Sequence, residues 1–136
     1  MRAVIADFAN ISNSPRIADI DQPQISDDEV LVAIAYGGMN AADWQYSQGM
    51  VPTMPPCDIN IVGFEAAGVV ARAGANVTGW RAGDRVMFAR PHTSGEAGTF
   101  AEYVPVPANL LCRVPDWMSM EEAAAVPLAG LTAYRA

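Results

Sequence analysis

Cysteine and histidine are nearly absent from this 136-residue sequence, which holds only Cys57, Cys112 and His92. The two cysteines are far apart and in no metal-ligand spacing, so they read as reduced thiols of a cytosolic protein. Disulfides are not needed either, because a domain of this size buries roughly two-thirds of the surface its unfolded chain would expose. His92 lies in Pro91-His92-Thr93-Ser94-Gly95, a composition that puts it in a solvated loop. Positive charge is also scarce, with eight Lys+Arg against fifteen Asp+Glu and a net charge of −7. Arg72, Arg81, Arg85 and Arg90 are scattered, which excludes the basic stripe that nucleic acid or an anionic membrane would require. No apolar run approaches the ~20 residues of a membrane helix. Asp7 interrupts the apolar start, so no signal peptide is expected, and a cytoplasmic location follows. Gly-x-Gly-x-x-Gly is missing as well: Gly37-Gly38 runs into Met39 and Asn40, without the spacing that cradles a pyrophosphate.

What is present is mostly strand signal. The segments 3–8, 30–36, 62–73, 85–89, 99–106 and 110–114 are short, β-branched and apolar, right for strands and too short for most helices. Gly, Pro, Asn and Asp punctuate them, as in Asn13-Ser14-Pro15, Gly74-Ala75-Asn76 and Ala82-Gly83-Asp84. Closely spaced short strands with such turns predict a barrel or sandwich. Gly63 and Gly68 inside a strand pattern predict a bend or a close backbone approach.

Helical signals interrupt this pattern twice. Ser119-Met120-Glu121-Glu122 is a capping box, in which the Ser119 hydroxyl and the Glu122 carboxylate satisfy orphan N–H groups reciprocally. It predicts a short helix through 123–125, closed or kinked by Pro127, with a further helix opening over 127–134. The stretch 40–48 predicts a turn or two of helix.

Gly63-Phe64-Glu65-Ala66-Ala67-Gly68, with Gly74 and Val77 beyond it, is followed by Gly83-Asp84-Arg85-Val86 and Gly98-Thr99-Phe100-Ala101-Glu102-Tyr103. Asn40-Ala41-Ala42-Asp43 precedes them. In this order the motifs resemble those of the medium-chain dehydrogenase/reductase superfamily, in its zinc-independent, quinone oxidoreductase-like branch, and the likeness covers nearly the whole chain. The resemblance implies a mainly β, GroES-like, partly open antiparallel β-barrel with short helices and a C-terminal helical segment. It implies a substrate-side domain over 1–125, with 126–136 beginning the crossover to a Rossmann domain that these residues do not include. Any one of these glycines could serve the turns of an unrelated barrel; their order is what carries the likeness.

Zinc-binding members of the superfamily carry a Cys and a His where this chain has Asn40 and Phe64. A phenyl ring has no lone pair to give and a neutral amide is a poor ligand, so no metal is expected. Nor does the stretch 90–99 hold the cysteines of a structural zinc. The resemblance therefore implies NADPH-dependent reduction of a quinone or enone. It assigns Asn40 and Tyr46 to catalysis, although the family's tyrosine often sits one residue earlier, at the position of Gln45. Asn40 and Thr132 are assigned to the nicotinamide end of the cofactor. Trp44, Met50, Met54 and Phe64 are candidate substrate-pocket residues, apolar as small-ligand sites usually are, and Glu65 is expected to act structurally.

With no phosphate cradle of its own, the chain is expected to bind no cofactor and to be inactive alone. The substrate would be a small molecule, and the possible partners are a separate Rossmann domain and, through the exposed interdomain surface, further copies of the chain. Two readings stay open. The chain is the substrate-side piece of a reductase, or it is a stand-alone, non-catalytic binding or interaction module that kept the fold.

Overall fold

Alternation in the strands decides which face becomes the core. A computed structural model describes residues 1–6, 15–48, 50, 60–90 and 98–136. In it, β3 (Glu29–Gly38), β4 (Glu65–Ala73), β5 (Arg85–Ala89), β6 (Tyr103–Pro107) and β7 (Cys112–Arg113) form one antiparallel sheet in the order β6-β3-β4-β5-β7. Every second residue of these strands points to one side, and there Val30, Val32, Ala66, Val70, Val86, Phe88, Val104, Val106 and Leu111 pack as the main core. Their register is direct, with Val32 opposite both Val70 and Val104, and Ala66 opposite Phe88. Ala67 faces the other way and packs with Val114, Ala123 and Ala124, so α2 (Met120–Ala124) covers the opposite face.

The sheet curls without closing. Register shifts between Leu31 and Val32 and between Ile34 and Tyr36 mark bulges that bend β3. A two-stranded ribbon of β1 (Arg2–Ile5) and β2 (Arg16–Asp19) is stitched on through backbone bonds. Val4 N–H donates to Phe100 O at 2.8 Å and Val62 N–H donates to Val4 O at 3.0 Å. The fold is thus mainly β with short helices, a partly open GroES-like arrangement. At the sheet's margin, β6 alternates Val104 and Val106 with Pro105 and Pro107, and the Arg90 guanidinium donates to the Pro105 carbonyl at 2.6 Å.

Several sequence expectations are met closely. β5 spans 85–89, and the Ser119 capping box forms, with Glu122 N–H donating to Ser119 Oγ at 3.2 Å and Ser119 N–H to Glu122 Oε2 at 2.9 Å. The short helix stops before Pro127, at Ala124, and Pro127 opens the expected further helix, α3 (Pro127–Arg135), at its first position, where its missing N–H is harmless. The segment 62–73 becomes a strand only from Glu65, because Gly63 turns the chain with φ +110°. At Gly68 the carbonyl of Ala33 comes close to where a side chain would start, the expected backbone approach. The segment 99–106 bends through Thr99 and Phe100 before β6 begins at Tyr103, and 110–114 begins with a 3-10 turn over Ala108–Leu110. Residues 7 and 8, Met54, Cys57 and His92 lie outside the described residues. Cys112 is a free, exposed thiol. Among the described residues no helix is long and apolar enough to cross a membrane.

The turn into β5 carries a charge cluster with a pH signature. Asp84 accepts the Arg81 backbone N–H at 3.0 Å and lies 3.3 Å from the Arg113 guanidinium, which stacks over the Trp80 ring at 4.6 Å. The Arg81 N–H first, and then Arg113, hold the Asp84 carboxyl below its ordinary value against partial burial. A depressed carboxyl pKa stabilises the fold above the unfolded value of ~3.9 and ceases to as pH falls through the folded value. Asp84→Asn is therefore expected to lower Tm at pH 7 and to melt more nearly like the parent at pH 3. A Tm difference of the same size at both pH values would contradict this account.

Candidate functional site

The end of β3, the start of β4 and the first turns of two helices converge on one carboxylate. Asn40 follows the Gly37-Gly38 end of β3 and caps α1 (Ala41–Ser47). Its backbone N–H donates to Asp43 Oδ2 at 2.6 Å, and its side-chain Nδ2 donates to Glu65 Oε1 at 2.8 Å. The other carboxylate oxygen, Glu65 Oε2, accepts the Leu128 backbone N–H at 2.7 Å. Leu128 is the second residue of α3, and Val126, at the cap position, offers that helix no side-chain bond. Glu65, only 2 % exposed, thus supplies from a strand 63 residues away the cap that α3 lacks locally. A negative group at a helix N-terminus is favoured by the orphan N–H groups there. The structural role expected of Glu65 takes this specific form.

The orientation of the Asn40 amide follows from chemistry. An ionised carboxylate can only accept, so the nitrogen must face Glu65. An amide nitrogen carries two protons, and among the described residues the second one is uncommitted. Thr99 fixes the same corner from behind: fully buried, its hydroxyl donates to the Glu65 carbonyl at 3.0 Å.

Asp43 is the residue that sequence reasoning undervalued. It is 4 % exposed, and its Oδ1 has no hydrogen-bond partner among the described residues. Burial pushes its carboxyl above the usual range. The Asn40 N–H opposes that, the negative charge of Glu65 raises it further, and the nearby Gly63 N–H eases it. The signal was available, because Asn-x-x-Asp has the spacing of a helix cap with its reciprocal partner. A second tie was not legible. Tyr36 on β3 hydrogen-bonds Glu121 on α2, and this bond raises the phenol while it lowers the Glu121 carboxyl.

The other candidates are distributed unevenly. Tyr46 is buried, and its ring meets Phe64 edge-on at 6.0 Å between centroids and 84° between planes. Phe64 is half-buried beside Glu65, so Asn40, Tyr46, Phe64 and Glu65 are brought together. Trp44 and Met50 are 59 % and 58 % exposed. Thr132 is exposed on α3, one turn beyond Leu128, and donates its hydroxyl proton to the Leu128 carbonyl at 2.7 Å. Among the described residues no three His, Cys, Asp or Glu side chains cluster as metal ligands would. A groove of about 320 Å³ runs between β1, β3 and the 99–102 segment, but Asn40, Tyr46 and Phe64 do not line it.

Comparison with known proteins gives this corner a context. The family model for the alcohol dehydrogenase GroES-like domain matches residues 26–116. A chloroplastic quinone-oxidoreductase homolog of Spinacia oleracea is 34% identical over 119 residues, covering 87% of this chain and 36% of that protein. An alcohol dehydrogenase superfamily protein from Novosphingobium aromaticivorans superposes with a TM-score of 0.89 at 29% identity, over 99% of this chain and 40% of that one. Escherichia coli quinone oxidoreductase complexed with NADPH gives 0.83 at 28% identity, over 98% and 39%. The chain therefore spans well under half the length of these similar proteins.

Proposed function

The chain belongs to the alcohol dehydrogenase GroES-like domain family, and from that premise we propose that it forms the substrate-side wall of a zinc-independent, NADPH-dependent quinone or enone reductase. In this reading residues 1–125 are the wall, and 126–136 begin the crossover to a dinucleotide-binding domain. The observation that carries it is Asn40, whose Nδ2 is held on Glu65 at 2.8 Å and whose second proton has no acceptor among the described residues, an amide where the resemblance puts a metal-binding thiol.

The chemistry follows from charge. When a quinone or enone gains hydride, negative charge collects on its carbonyl oxygen. Without a metal that charge must be met by pre-aimed donors. The spare Nδ2 proton of Asn40 is such a donor, and the Thr132 oxygen, having given its proton to Leu128, retains lone pairs that can accept. The Thr132 acceptor suits the carboxamide N–H at the nicotinamide end of NADPH, which supplies the hydride when bound, and leaves the Asn40 proton for the substrate oxygen. Nothing in the sequence provides a cradle for its pyrophosphate. Tyr46 and Phe64 form the floor, with the exposed Trp44 and Met50 on the same side of α1's end, where they exclude water from the reacting atoms.

Exposed apolar groups support a covering domain. Met39, Val126, Leu131 and Tyr134, just after β3 and on or beside α3, are 85 %, 41 %, 46 % and 89 % exposed, apolar surface that a second domain would cover. Without that domain, copies are expected to associate, giving a light-scattering mass above the 14.4 kDa monomer. A monomer mass at high concentration would refute this.

Hydride transfer needs donor and acceptor held together. The 136 residues alone are expected to oxidise NADPH with a quinone or enone far more slowly than ~1 per second. Joined to a dinucleotide-binding domain, they should turn over, and Asn40→Ala should lower kcat about 100-fold, the usual loss for one oxyanion donor. Ordinary turnover by the isolated chain, or an unchanged kcat for the joined Asn40→Ala variant, would sink the reading. Quinone affinity without NADPH in a form that never turns over would instead identify a binding module.

A further inference from the structure

Glu65 has a geometry that packing alone does not require. Its two oxygens accept from two different elements: Oε1 takes the Asn40 amide at the end of β3, and Oε2 takes the Leu128 backbone N–H in the first turn of α3. The carboxylate is buried, so water does not compete for either bond, and both are of the stronger, charge-assisted kind. Asp43 lies close enough for the negative charge of Glu65 to raise its carboxyl.

We infer that Glu65 is a positioning residue, one rigid joint that fixes the Asn40 amide and the helix bearing Thr132 in a single mutual orientation. The catalytic meaning of the joint rests on the reductase reading; the joint itself does not. Its chemistry is asymmetric in a way that can be tested. A glutamine at this position has one accepting oxygen and one donating nitrogen. Leu128 N–H is a backbone donor and cannot reverse, so the glutamine oxygen must turn towards it. The glutamine nitrogen then faces Asn40, whose amide must flip to present its oxygen. Glu65→Gln thus keeps the helix tied while it reverses the donor that Asn40 directs at the cleft.

The test uses the 136-residue chain and ¹H–¹⁵N NMR, with the Asn40 side-chain pair identified by its loss in Asn40→Asp. In Glu65→Gln the Leu128 N–H should stay slow to exchange while the Asn40 side-chain pair shifts. In Glu65→Ala both should change, and Leu128 N–H exchange should accelerate about tenfold or more, as expected for losing a bond to a charged acceptor. If Glu65→Ala does not fold, Glu65→Gln and Asn40→Ala still decide, since Asn40→Ala should move the Glu65 side-chain carboxyl ¹³C resonance. Asn40 resonances that do not move in Glu65→Gln, or Leu128 exchange equal to the parent in Glu65→Ala, would overturn the joint and leave the reductase reading untouched. In the chain joined to a dinucleotide-binding domain, Glu65→Gln should lower kcat about tenfold with KM nearly unchanged, as for a donor needed only when charge develops. An unchanged kcat there, while Asn40→Ala is slow, would overturn the positioning role. If Asn40→Ala is also fast, it is the reductase reading that fails, and the joint stands on the NMR result.

Discussion

Gly63→Ala is expected to destabilise the fold by about 2–6 kcal/mol, a large share of the ~5–15 kcal/mol that holds a domain together. Two separate effects combine. The backbone at Gly63 has φ +110°, and holding an L side chain in such a region costs about 1–3 kcal/mol. A Cβ there would also meet the Thr99 hydroxyl and come 2.8 Å from the Phe100 backbone nitrogen, crowding that adds about 1–3 kcal/mol. Neither neighbour can retreat, since Thr99 is bonded to the Glu65 carbonyl and Phe100 N–H to Val62 O. Gly79→Ala separates the two effects. Its φ is +86°, but nothing lies within 4 Å of the added carbon, so only the conformational part applies. Urea unfolding of both variants measures the difference, and equal losses would mean that the corner behind Glu65 is looser than described.

The second large effect lies in the core. Phe88→Ala is expected to cost about 3–5 kcal/mol, the transfer of the ring plus the cavity it leaves. Phe88 is 1 % exposed and faces Ala66, among small valines that cannot collapse into the space without moving the sheet. Trp44→Ala, which removes a larger ring from a 59 % exposed position, should stay within about 0.5 kcal/mol. Denaturant midpoints of the two variants test the pair together. If Trp44 matters as much as Phe88, the face that α1 buries has been misassigned.

That contrast shows where the sequence was readable. Composition favours burying Trp44, yet α1 turns Asp43, Tyr46 and Ser47 inward at positions three and four apart. A helix of two turns has too little pattern to reveal its buried face, and tertiary packing decides it. Local chemistry was legible: the Ser119 capping box, the bend at Gly63 and the limits of β5 all follow from residues within a few positions of one another. β2 was not, because Arg16–Asp19 is almost wholly exposed and carries no alternation to read. The same holds for the site. Asn40 and Glu65 could be picked out by motif order, but the bond from Glu65 to Leu128 joins residues 63 positions apart, and no periodicity announces it.

Prolines at the margin of the sheet have a consequence for the chain's solubility. A strand's outer rim normally offers N–H and C=O groups on which a foreign strand can zip. In β6 the valines at 104 and 106 lie opposite Val32 and Val30 of β3, and the alternate positions, Pro105 and Pro107, have no hydrogen to give. The Pro105 carbonyl is already taken by Arg90. A protein rich in short apolar strands thus offers fibril growth a poor template on that side of its folded sheet.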